Sequence, residues 1–206
     1  ALPISPNALS LESPWGVELR VSSGRTTRWD GAVSGAASVS KVGPGTLVLS
    51  GANTFSGALT VSDGALRVAS SSALGSVASG TTVLANSALE IADGVVLSAE
   101  PLTVVGSGVA GGGAIRGLGD ATLTGPLTLS GAATVLSTSG RLTFASGASV
   151  TGENRVLSVS GAGDVSLLGV VNLGTGSISK TGMGVLKLAG ANVFGGGVDL
   201  GGGVLE

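Results

Sequence analysis

A parallel β-solenoid is the fold this sequence predicts: an all-β winding of about nine coils, each of about 22–25 residues. Three observations carry the expectation. First, a block of short strands and glycine turns at residues 38–76 returns at 177–206 without a gap. The offset that takes Lys41 to Lys180 also takes Gly43, Gly45, Leu47 and Leu49 to Gly182, Gly184, Leu186 and Leu188. Gly51-Ala52-Asn53 likewise matches Gly190-Ala191-Asn192, Phe55 matches Phe194, and Leu66 matches Leu205. Second, shorter echoes agree on one rung length. GALTV at Gly57 returns as GTTVL at Gly80, Pro101-Leu-Thr-Val as Pro126-Leu-Thr-Leu, and GLGDATL at Gly117 as GAGDVSL at Gly161, two coils later. Six coils of about 23 residues then account for the long offset. Third, from Trp15 onward the segments alternate at period two between Gly, Asn and Ser turns, and none shows the 3.6-residue period of a helix.

The order of the chain follows from this. Residues 1–14 differ from the rest, because Pro3, Pro6 and Pro14 each lack a ladder donor; they read as an N-terminal cap, or as an arm that docks on another surface. Residues 15–206 read as a single β-helix domain containing the repeat copies at 38–76 and 177–206. Inward Val, Leu and Ala of each coil stack on those of the next, so a thin apolar core runs down the axis. No coil is stable alone, since its upper and lower edges are unsatisfied. Asn53 and Asn192 fall at equivalent bends beside Gly51 and Gly190, where an inward amide satisfies the turn backbone.

The block KVGPGTLVLSGANTFSGALTVSDGALRV, with its lead-in RWDGAVSGAASVSK and trailing SSALGS, resembles the autotransporter-associated β-strand repeat. That repeat occurs in the passenger regions of bacterial type V secreted proteins and related surface proteins. The likeness is strong over residues 29–76 and good over 177–206. It implies a right-handed parallel β-helix, secretion, and an extracellular or bacterial cell-surface location, and it brings no catalytic residues with it.

Composition narrows the function. Serine, threonine or glycine interrupts every apolar run, so no segment approaches the roughly 20 residues of a spanning helix and no membrane insertion is expected. A net charge of −2 gives no reason to expect nucleic acid. With neither histidine nor cysteine, no Ser-His-Asp or Cys-His arrangement can form. The glycine-rich GSGVAGGG lacks a following helix, which removes phosphate binding. Asp120 and Asp164 sit two coils apart, roughly 10 Å, a poor distance for sharing a metal. No cofactor and no small-molecule ligand are expected. Phe55, Phe144 and Phe194 read as core, Trp15 and Trp29 as closing the first coils, and the threonines keep no T-x-T register across coils.

The expected role is therefore non-catalytic and structural. Val204, Leu205 and Glu206 stand at the end of the winding and Leu2 and Ile4 near its start, so copies of the chain stacking head to tail into a filament is the first expectation. A stalk or adhesin fragment of an autotransporter passenger is the alternative. A secreted polysaccharide-active enzyme, with Arg116, Arg141 and Arg155 striped beside Asp120 and Asp164, is a third.

Overall fold

The computed structural model describes the backbone of Pro3 and Ile4 and all of residues 8–206. Every strand pairing among the described residues is parallel. The chain winds as a three-faced β-solenoid of about nine turns, and its one helical element among the described residues is a single 3-10 turn at Val109–Gly111.

The first face stacks Val17–Arg20, Val39–Val42, Leu59–Val61, Thr81–Val83, Leu102–Gly106, the start of Leu127–Ser137, Val150–Thr151, Val171–Gly174 and Val193–Phe194. The second runs from Pro3–Ile4 through Thr26–Trp29, Thr46–Leu49, Gly64–Val68 and Ser87–Ile91 to Val198–Leu200. The third begins at Leu9–Leu11 and Val33–Gly35 and ends at Val185–Leu188 and Val204–Leu205. Coils vary in length more than the sequence suggests, from the short turn between Thr46 and Ala65 to the long one between Leu89 and Ile115. The long one contains the excursion at residues 107–113.

Alternation explains the core. On the first face Val39, Leu59, Leu102, Leu127, Val150 and Val171 stack in register on the inside, and one continuous apolar cluster runs from Leu11 to Leu186. Fully burying each such side chain contributes about 1.5–3 kcal/mol, and the contribution exists only when neighbouring coils are in place. Phe55 and Phe144 are buried in this core and Phe194 packs against it.

Two of the echoes fall on true rungs. Leu102 pairs with Leu127, and Gly117 reaches Gly161 through Ser137, two coils apart. The long repeat does not. Lys41 lies on the first face and Lys180 on the second. Six coils carry Val39 to Val171, and Ile178, the repeat partner of Val39, follows only on the next face. The copies are thus related by six coils and one face. On all three faces alternate residues of a short strand enter the apolar core, so the same sequence can occupy any of them.

One further expectation changes. Trp15 closes nothing: it is 94% exposed in the turn before Val17, while Trp29 does pack against the core. Among the described residues Pro3 stands on an edge strand of the second face, paired with Arg28, and not in a central one.

Candidate functional surface

The polar side chains that the chain buries serve the winding. Lys41 points inward, stacked between Leu19 and Val61, and is 1% exposed. Its ammonium donates to the carbonyls of Gly43 at 2.6 Å and of Asp63, one coil ahead, at 2.7 Å. Lys180 does the same on its own face, donating to Thr181 at 2.7 Å and to Gly182 and Gly202 at 3.2 Å. Burial draws both amines below their ordinary value. The K-x-G-x-G signature is therefore a cross-coil staple. Gly43 turns at φ +80 and Gly182 at φ +74, and those turns present the carbonyls to the lysine. The identity of Lys41 with Lys180 is visible in the sequence, but the carbonyl each one reaches in the following coil is not.

Asn53 is buried, accepting from the Val33 N–H at 2.8 Å and donating to the Ala73 carbonyl at 2.6 Å, and so bridges the coil behind and the coil ahead. Asn192 accepts from Val171 N at 3.0 Å. At Gly51 and Gly190 a side chain would strike the carbonyls of Gly31 and Gly169 in the preceding coil. Close approach of backbone, and not a left-handed turn, selects glycine at these two positions.

Several of the charged groups are also committed. Asp93 accepts from the N–H of Asp120, Asp120 from that of Arg141, and Asp164 from that of Val185, at 2.8–2.9 Å. Arg141 pairs with Asp164 at 3.3 Å. The bond from Val185, with help from Arg141, holds the Asp164 carboxyl below the usual carboxylate range. Glu90 is buried between Arg67, at 2.7 Å, and Arg116, at 3.2 Å, and Arg116 also donates to the Gly112 carbonyl of the excursion. The arginine stripe expected for a polysaccharide-active site does not assemble. Arg116 is on the second face, Arg141 on the third, and Arg155 in the turn after Val150–Thr151, because consecutive turns point to different sides of the rod. Among the described residues no three metal-ligating side chains converge.

The end residues are placed as follows. Leu2 lies outside the described residues. Ile4 pairs through its backbone with Trp29. Val204 and Leu205 are exposed on the last strand of the third face, with Leu186 as the inner neighbour of Leu205, and Glu206 faces Lys187 at 3.9 Å.

Residues 39–68 and 178–206, the two segments that carry the lysine staples, match the family model described as passenger-associated-transport-repeat. The chain carries this repeat twice. Both passenger-associated-transport-repeats start on a lysine-bearing strand, the first copy beginning on the first face and the second copy on the second. Over 164 residues, 78% of the chain, the sequence is 38% identical to the adhesin BmaC autotransporter of Brucella suis biovar 1 (strain 1330). The chain spans 5% of the length of that relative. No solved structure matches the chain significantly.

Proposed function

We propose that the chain is a non-catalytic passenger segment of a bacterial surface adhesin, a rigid spacer that presents its faces outside the cell. What carries this reading is the pair of passenger-associated-transport-repeats lying in one uninterrupted parallel ladder. The similarity to an autotransporter adhesin supports it. So does the commitment of Asp93, Asp120, Asp164 and Glu90 to backbone and arginine partners, which takes these four carboxylates out of acid–base chemistry. Head-to-tail filament formation through Leu2, Ile4, Val204, Leu205 and Glu206 has less support. The rung bearing exposed Val193, Leu200, Val204 and Leu205 is equally a seat for a further coil of the same winding.

Antibody raised against residues 38–76 should label intact cells of the source bacterium, and external protease should remove the label. Labelling only after permeabilisation would overturn the reading. Sedimentation of the purified chain at increasing concentration separates the filament alternative, which requires growth beyond the monomer.

A further inference from the structure

The outward positions of the first face form one column: Ser40, Thr60, Thr82, Thr103, Thr128, Thr151 and Asn172, each the direct register partner of the next. At about 4.8 Å per rung the column is roughly 29 Å long. From Ser40 to Asn172 every outward side chain on these strands is uncharged, Val42, Val105 and Ser130 included. Glu18 and Arg20 stand on the rung before Ser40 and face each other at 3.7 Å. The other two faces carry charge along their length, as Arg67, Glu90 and Arg116 on the second and Asp120, Arg141, Asp164 and Lys187 on the third. The hydroxyls are little engaged. Thr128 and Thr151 approach to 3.4 Å, while Thr60, Thr82 and Thr103 make no side-chain hydrogen bond among the described residues.

The column ends in an open depression of about 280 Å³, lined by Thr151, Gly152, Glu153, Asn172 and Gly174. The Asn172 side-chain carbonyl accepts from Gly174 N at 3.2 Å. Its amide N–H groups and the Glu153 carboxylate have no partner among the described residues. A hydroxyl, an amide donor and a carboxylate acceptor thus line one concave site.

We propose that this face binds a neutral polyhydroxylated chain, a glycan without acidic sugars, lying along the axis with one sugar in the depression at Thr151, Glu153 and Asn172. Vicinal sugar hydroxyls both donate and accept, as threonine hydroxyls do. The column offers no cation to an acidic polymer, and of the two charges in the turn at its end Glu153 lines the depression and repels one, while Arg155 is no part of that lining. One side chain wide and six rungs long, the column is much smaller than the ~800 Å² per partner of a stable protein complex, which favours a thin polymer over a folded partner or a second copy. No aromatic side chain stands on the first-face strands from Ser40 to Asn172, so each sugar is held weakly and affinity accumulates with chain length. The inference rests on the passenger reading only for where the face is presented. Binding itself is a property of the purified chain.

The test is calorimetric titration of the purified chain with cellohexaose, laminarihexaose and maltohexaose, the corresponding disaccharides, and polygalacturonate. At least one hexasaccharide should bind at millimolar concentration or below, its disaccharide tenfold or more weakly. Thr82→Val, Thr103→Val and Thr128→Val combined should weaken it at least tenfold with an unchanged melting temperature, since valine keeps shape and strand preference. If the triple variant does not fold, Thr103→Val and Asn172→Ala singly should each weaken binding, while Thr143→Val on the third face should not. The proposal is overturned if no neutral hexasaccharide binds, if only polygalacturonate binds, or if the first-face variants bind as the parent does. Such a failure would leave surface labelling of the passenger segment untouched.

Discussion

Lys41 and Lys180 stand on different faces of the solenoid and make the same contact, each reaching a carbonyl one coil ahead, that of Asp63 at 2.7 Å and that of Gly202 at 3.2 Å. The repeat therefore preserves a local tie between one coil and the next, whichever side of the rod it occupies.

Removing that tie should loosen the stack. Lys41→Met keeps the apolar stem but takes the donor from the buried Gly43 carbonyl and the part-buried Asp63 carbonyl, and a loss of about 1–3 kcal/mol is expected. Hydrogen exchange should localise the effect to residues 41–63, with Lys180→Met acting on residues 180–202. Both amines are depressed by burial, so the unfolded chain binds the proton more readily. The contribution of these lysines to stability should then rise as pH climbs toward their ordinary 10.5, and the methionine variants should lose that dependence.

On the acid side the relevant group is Glu100. It is 3% exposed, one oxygen accepts from the Thr81 hydroxyl at 2.7 Å, and the other has no partner among the described residues. Burial pushes this carboxyl above its ordinary 4.5, against the pull of the Thr81 bond. Between the two values the folded chain holds more protons than the unfolded one, so this contribution falls as pH rises through that interval. Melting temperature should therefore increase on acidifying from neutrality toward about pH 4.5. Glu100→Gln should flatten that part of the profile, and an unchanged slope would refute the assignment.

Glu90→Gln leaves Arg67 and Arg116 without their shared carboxylate. Both arginines are partly solvated, which limits the expected loss to about 1–3 kcal/mol. Because Arg116 also holds the Gly112 carbonyl at 2.6 Å, limited proteolysis should cut within residues 107–113 faster than in the parent. Equal cutting rates would show that the excursion is held by other means.

Asn53→Ala removes a buried amide bonded to two neighbouring coils, and a destabilisation of about 1–3 kcal/mol is expected. Gly51→Ala, just before it in the chain, should be at least as harmful, because the new methyl meets the Gly31 carbonyl and neither backbone can move without breaking the ladder. Denaturation monitored by circular dichroism ranks the two.

The sequence shows the winding because alternation and glycine spacing are local: the Leu102–Leu127 and Gly117–Gly161 echoes are true rungs. The face exchanged between Lys41 and Lys180 is hidden, since all three faces obey one period-two rule and nothing in the alternation marks which is which. The threonine column is hidden for a related reason. Thr60, Thr82, Thr103, Thr128 and Thr151 follow one another at unequal intervals along the chain, so no fixed period reveals them. Trp15 misleads because size and aromaticity suggest burial, whereas the turn before Val17 turns it into solvent.

The one-face offset between the repeat copies has a geometric outcome for any longer array built this way. A substitution or loop acquired at a fixed point of the repeat would emerge on successive copies about a third of a revolution apart, so a fibre assembled from one duplicated cassette would meet its surroundings in every radial direction.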